Sequence, residues 1–262
     1  MEPEYLSNLY PDTREKNIVF YPGPHKYVIN GDDSYISVTT FVHRGVEHFD
    51  ADKIISRMMA AKKWPNNKYY GMTADEIKAG WDKNRDEAAD AGTKLHYDVE
   101  CYYNQLDNEN RSVEFSYFLK FYEDYKHLIP YRTELKVYHE ELKLVGTIDM
   151  MFVHADDPNV VEIYDWKRSK EIVKVSGFNK WMRLDCLSHL PDTNFWHYSL
   201  QLNIYKAIIE QKYGKTVVGL YLVCLHPDNK NGSYQRIQCA DLSAEVAELF
   251  AERRRELVKS ID

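Results

Sequence analysis

The chain has 262 residues, 44% of them hydrophobic and 14% aromatic, and a formal net charge of −7. That length buries a sizeable core as one large domain or two small ones, and no uninterrupted apolar run approaches the roughly 20 residues that a bilayer-spanning helix needs. The negative charge excludes a protein coated in basic surface, so any grip on nucleic acid must come from a local concentration of cations.

In chain order, residues 17–21 and 25–29 alternate as short strands around Pro22, Gly23 and Pro24, and 35–39 follows Gly31, Asp32 and Asp33 as a third. Together they predict a small N-terminal β-meander. Ser37, Val38, Thr39 and Thr40 then offer hydroxyls, either to phosphates or as the cap of the next helix. Asp50 or Asp52 caps a helix through Ala61 that Trp64, Pro65, Asn66 and Asn67 end. Thr73 and Glu76 have the form of a capping box. Ile77, Trp81, Ala88, Leu95, Val99 and Tyr102 then recur at helical spacing, predicting a long helix over 73–104. An aromatic-rich helix over 113–128 stops before Pro130. Residues 131–139, 143–154 and 160–168 read as three strands, with turn chemistry at Asp156, Asp157, Pro158 and Asn159. A helix over 196–213 ends at Gly214, strands follow at 217–225 and 234–238, and an amphipathic helix over 242–259 closes the chain. There is no internal repeat. The expected architecture is α/β in the α+β sense, a central mixed β-sheet flanked by helices. A single domain spans 1–262, with 1–72 as an N-terminal elaboration and 73–262 as the core.

Cys101, Cys186, Cys224 and Cys239 are scattered and form no CxxC pair, which predicts reduced structural thiols rather than a zinc knuckle or a disulfide framework. Between Trp166 and Arg183, the cations Lys167, Arg168, Lys170, Lys174, Lys180 and Arg183 face a single acid, Glu171. A run of that kind is commonly a solvated face, but this one begins at the strand that carries the candidate chemistry.

A hairpin centred on Asp157 sets Asp149 directly opposite Asp165. Carboxylates so opposed have Cβ atoms about 4.5–5.5 Å apart and repel each other. A divalent cation relieves that repulsion, since Mg²⁺ takes hard oxygen ligands from one or two carboxylates, water and phosphate. Lys167, two residues beyond Asp165, shares its face by strand alternation. An ammonium beside a metal-bound water can orient the nucleophile, help lower its pKa or neutralise charge on a reacting phosphate. A surface ion pair between strands is the bland alternative.

With these residues in hand, the chain resembles the PD-(D/E)XK nuclease superfamily, which implies a restriction-endonuclease-like core. Gly146, Thr147, Ile148 and Asp149 match its G-x-x-D motif, and Asp165, Trp166 and Lys167 its D-x-K motif. Gly92 to His96 resembles G-x-x-x-H, and Gln201 with Tyr205 resembles the Q-x-x-x-Y motif of the RecB-like exonuclease branch. The likeness covers roughly residues 91–226 and is greatest to exonucleases of the mitochondrial type and their phage and viral relatives. It implies a metal held by His96, Asp149, Asp165 and the Trp166 carbonyl, and catalysis by Asp149, Asp165 and Lys167 with Glu134 beside them. It also implies nucleic-acid contacts at Gln201 and Tyr205. Ser169, Arg168 and Lys170 extend those contacts along the basic segment. Glu100, one helical turn beyond His96, is expected to hold the imidazole through its second nitrogen.

The expected cofactor is Mg²⁺ or Mn²⁺, one or two ions. The cysteine spacing departs from that of relatives that hold an iron-sulphur cluster, so none is expected. The expected partner is DNA, single-stranded or with free ends, threaded past rings such as Phe178, Trp181 or Trp196. No sequence-reading module is present. The leading expectation is an exonuclease on DNA ends in replication, repair or recombination. A structure-specific or flap endonuclease is the rival within the fold, and an inactive nuclease-fold DNA-binding protein the rival outside catalysis. The N-terminus lacks a secretion or transit signature, which predicts an intracellular location, the cytoplasm or nucleus of a host if the source is viral.

Overall fold

A computed structural model describes residues 2–24, 26–177 and 179–259. His25 and Phe178, expected at a strand start and as a stacking ring, lie outside the described residues. The chain opens with α1 (Tyr5–Leu9), β1 (Ile18–Tyr21), β2 (Lys26–Ile29), β3 (Ile36–Ser37), α2 (Val38–His43) and α3 (Ala51–Met59). The long α4 (Ala74–Tyr103) and α5 (Val113–Asp124) precede three strands, β4 (Ile129–His139), β5 (Leu144–Val153) and β6 (Val160–Lys167). Then come α6 (Asn194–Lys212), β7 (Thr216–Cys224), β8 (Gln235–Gln238) and α7 (Ser243–Lys259). Among the described residues no helix is long and apolar enough to cross a membrane.

Side-chain caps explain where the helices begin. Asp50 accepts from the Lys53 amide at 2.9 Å to start α3, and Ser112 from the Phe115 amide at 3.2 Å to start α5. At α4 the box closes both ways: Thr73 Oγ1 accepts from the Glu76 amide, and the Glu76 carboxylate accepts from the Thr73 amide at 2.8 Å. Two expectations shift. Among the described residues the meander has two strands, β1 and β2, paired antiparallel. The third segment contributes β3 to the large sheet, parallel to β5, and Ser37 then caps α2 by accepting from the Thr40 amide at 3.0 Å. The competition between strand and helix start at Ser37 is decided by that local bond. Likewise α5 ends early and Pro130 sits within β4, where the pairing slips between Pro130 and Arg132, an irregularity that tolerates a missing amide.

The six-stranded sheet is mixed: β4 and β6 lie antiparallel to β5, β7 parallel to β6 and β8 antiparallel to β7. Helices flank it on both faces. One face packs against α2, α6 and α7 through residues such as Phe41, Ile204, Ile208 and Phe250. The other packs against α4 and α5 through Leu95, Val99, Phe118 and Phe121.

Two features of this sheet position the candidate site. β4 runs along one whole edge of β5, so β3 and β6 must share the other. β3 pairs at Leu144 and Val145, and β6 at Met150 to Val153. Residues 146–149, the G-x-x-D stretch, lie in the gap between them. At the same level the side-chain alternation breaks. Ile148 and Leu135 join the α6 side, whereas Met150 joins the α4 side and Thr133 accepts from the Asn104 side chain at the end of α4. Residues two apart on a regular strand share a face, so both strands change phase between these positions. The residues at the break are Asp149 and Glu134, and Glu134 has a left-handed backbone with φ of 45°.

Candidate metal and catalytic site

The registers on either side of the break align three acids across three strands. Thr133 pairs with Met150 and Leu135 with Ile148, so Glu134 lies level with Asp149. Met150 pairs with Tyr164, so the next step brings Asp149 level with Asp165. The hairpin register read from Asp157 is therefore the one observed, although the paired ladder stops one residue short of the acids. Asp149 instead accepts the Trp166 amide on Oδ2 at 2.9 Å, which fixes its rotamer. The Trp166 indole is buried among Tyr103, Phe118 and Phe121, anchoring β6 against α4 and α5.

His96 on α4 completes the cluster. Its Nδ1 lies 3.5 Å from Asp149 Oδ2 and 3.9 Å from Glu134 Oε1, and one ligand atom from each of the three residues lies within 4.8 Å of the others. Two ligands of one Mg²⁺ at about 2.0–2.1 Å can be no more than about 4.2 Å apart, so both imidazole distances suit a shared ion. Asp165 is not one of these three. Its Oδ2 is buried, and Lys167 Nζ lies 2.6 Å away as its ion-pair partner. A buried carboxylate with a single ammonium for company, next to two further acids and an imidazole, fits a hard divalent cation.

The electrostatics agree. Burial raises the Asp149 carboxyl above its ordinary range, and Glu134 adds to the shift. Burial likewise raises Asp165, with Asp149 adding to it and Lys167 opposing. Burial pulls His96 down, but Asp149 and Glu134 outweigh it and hold the imidazole up at about 9. Lys167 is raised because Asp165 and Asp149 outweigh its burial. Acids and imidazole that hold their protons in one another's company mark a site short of positive charge.

Around this cluster a cleft of about 690 Å³ is lined by Tyr27, Thr39, Thr93, Glu100, Lys136 and Thr147 among others. Gln201 and Tyr205 on α6 also line it. Their fit explains Gly146: a Cβ there would lie 2.6 Å from the Tyr205 hydroxyl and 2.7 Å from its Cε1. The G-x-x-D glycine and the Q-x-x-x-Y tyrosine are thus two halves of one contact. Gln201 Nε2 is held loosely, 3.5 Å from both Thr39 Oγ1 and the Tyr205 hydroxyl.

Other expected residues fall elsewhere. Glu100 lines the cleft, where burial and then Glu134 raise it to about 7, but among the described residues no hydrogen bond joins it to His96. The His96 contacts with acids are both made by Nδ1, to Asp149 and Glu134. Arg168 is paired with Glu114 at 2.7 Å and Lys170 with Asp228 at 2.9 Å, while Lys180 and Arg183 share Glu47. Ser169 Oγ donates to the Glu171 carbonyl, and Lys174 lies over the Phe195 ring. The basic run is thus largely neutralised by acids that sequence order does not reveal. Trp196 donates its indole N–H to the Lys174 carbonyl, and Trp181 is 49% exposed. Lys136 was the overlooked cation of the cleft. Its signal was available, since it stands two residues from Glu134 on a strand. Tyr27, which meets Thr147 Oγ1 at 3.0 Å, left no such signal because 120 residues separate the pair.

No family model matches the chain, and no curated protein matches it. Among solved structures it is similar to a protein from Eubacterium rectale named as a proposed exonuclease. The two share 12% identity with a TM-score of 0.37, over 86% of this chain and 79% of that one. A likeness of that size carries no argument about what this chain does.

Proposed function

We propose that the protein is a divalent-metal-dependent DNA nuclease that hydrolyses phosphodiester bonds from single-stranded or frayed ends, with residues 73–262 as its catalytic core. The observation that carries this reading is the convergence of His96, Glu134 and Asp149 on one point, with Asp165 and Lys167 level beside them. His96, Glu134 and Asp149 would hold Mg²⁺ or Mn²⁺, with Asp165 and the Trp166 carbonyl as further oxygen donors. When bound, such an ion polarises a phosphoryl oxygen and makes its water more acidic.

The chain's own groups divide the remaining work. Lys167, steered by Asp165, presents a fixed ammonium where negative charge collects on the phosphoryl oxygens as the P–O bond to the leaving oxygen breaks. The Trp166 amide keeps Asp149 in one rotamer, so the donor set costs little reorganisation. Gln201 offers a weakly engaged amide, and Lys136 an ammonium, to phosphates on either side of the scissile one. Water adds to phosphorus and gives up a proton to solvent, the P–O bond to the leaving oxygen breaks, and that oxygen takes up a proton from solvent, so the products are a phosphate monoester and a free hydroxyl.

The test incubates the protein with end-labelled linear and circular single strands in Mg²⁺ or Mn²⁺. Linear DNA should be degraded and circles spared, while Asp149→Asn, Asp165→Ala and Lys167→Ala should each lose on the order of a hundredfold to a thousandfold in rate. A wild type that cuts neither substrate ends the nuclease reading; rapid cutting of circles makes it an endonuclease.

A further inference from the structure

Residues 53–74 contain Lys53, Arg57, Lys62, Lys63 and Lys68 and no acid at all, in a chain whose net charge is −7. All five cations are exposed. Among the described residues none of them makes an ion pair, and the nearest acid before them, Asp52, is taken by Lys78 at 2.7 Å. This is the reverse of the 167–183 run. Aromatic rings stand among the cations: Tyr70 is 60% exposed with its ring 6.0 Å from that of Trp64, and Lys68 Nζ lies 4.7 Å from the Tyr69 ring centroid. The platform is tied to the catalytic helix, because Trp81 Nε1 on α4 donates to the Tyr69 hydroxyl at 2.8 Å. His96 lies fifteen residues further along that same helix, roughly 22 Å at 1.5 Å per residue.

We propose that α3 and the loop through Tyr70 form the docking surface for single-stranded DNA, some distance from the cleft that cuts it. Unpaired cations hold the phosphates, and Tyr70 and Trp64 stack on bases. A single strand fits better than a duplex, whose base faces are hidden from exposed rings. It also fits better than an anionic membrane, because the apolar face of α3 is already spent against α4, with Ile55 only 1% exposed. The proposal rests on the nucleic-acid part of the reading above, not on cleavage.

The experiment measures fluorescence anisotropy of a labelled 30-mer oligo-dT in EDTA, where nothing is cut. Lys62→Glu/Lys63→Glu/Lys68→Glu should weaken binding more than tenfold and flatten the dependence of log affinity on log salt by about 2. Lys62→Gln/Lys63→Gln, the milder change, should follow the same direction with an unchanged melting curve. Tyr70→Ala should weaken the single strand roughly fivefold or more and leave duplex binding alone. Lys170→Gln/Lys180→Gln should bind as the wild type does. Wild-type affinity in the charge variants overturns the proposal. So does loss confined to Lys170 and Lys180, equal binding of duplex with no effect of Tyr70→Ala, or capture by phosphatidylserine vesicles without oligo-dT binding. A protein that binds oligo-dT here yet cuts nothing in Mn²⁺ keeps this inference and loses the nuclease reading.

Discussion

Glu134 carries a backbone conformation that a non-glycine residue adopts only at a cost, on the order of 1–2 kcal/mol. It does so beside Asp149 and His96, where its charge raises Asp149 further. Both penalties disappear in Glu134→Gly. That variant should be more stable to urea than the wild type in EDTA, yet should bind Mn²⁺ more weakly by titration calorimetry. A lower urea midpoint in EDTA would show that the residue is held for packing instead. At Gly146 the argument runs the other way. Gly146→Ala forces a methyl into the Tyr205 ring, an overpacking cost of about 1–3 kcal/mol. Most of that cost should vanish in a Tyr205→Ala background, and a double-mutant cycle in urea measures the coupling. Additive effects would mean that the ring moves aside freely. The G-x-x-D and Q-x-x-x-Y residues were legible as separate motifs, but their contact was not, because nothing in local sequence relates positions 59 residues apart.

The helix α6 lines the cleft with Gln201 and Tyr205, and it is seated through a histidine at each end. His197 near its start pairs with Asp192 at 2.7 Å, and Gln211 near its end meets His139 of β4 at 3.2 Å. Burial lowers both imidazoles below the ordinary 6.5, outweighing Asp192 at His197 and Gln211 at His139. With folded values below the unfolded one, the folded state binds fewer protons, so stability declines as pH falls through 6.5 toward the lower folded values. These two imidazoles therefore pull the urea midpoint down between pH 7 and 5, against Glu100 and Asp165, whose raised carboxyls push it up over the same range, and His139→Asn/His197→Asn should shift the pH 5 midpoint upward relative to the wild type. An unchanged pH 5 midpoint would remove the histidines from the acid sensitivity. The caps at Asp50 and at Thr73 with Glu76 were readable because they act within one turn. The fate of residues 35–39 was not, since a two-residue strand draws its stability from β5, more than a hundred positions away.

Over the whole molecule, α4 brings His96 from one face of the sheet while α6 brings Gln201 and Tyr205 from the other, and they meet where β3 and β6 leave a gap along β5. A cation bound there would tie both layers together and stabilise only the folded state. Mn²⁺ should accordingly raise Tm in a concentration-dependent way, EDTA should reverse the rise, and Asp149→Asn should abolish it by differential scanning fluorimetry. A Tm indifferent to Mn²⁺ and Mg²⁺ would leave the three-residue cluster without a cation.

Local chemistry decided much of what could be read in advance. The helix caps, the turn at Asp157 and the strand alternation after it determined that Asp149 and Asp165 stand level and that Lys167 joins them. Each depends on neighbours a few residues apart. Three other matters belonged to the tertiary structure. Glu134 rather than Asp165 meets His96 because both β4 and β5 change phase at one level, a break no alternating pattern announces. The 167–183 cations are spent because Glu47, Glu114 and Asp228 fold onto them. Among the described residues the 53–68 cations have no ion-pair partner for the converse reason, since charge is cancelled by proximity in space and not by order along the chain.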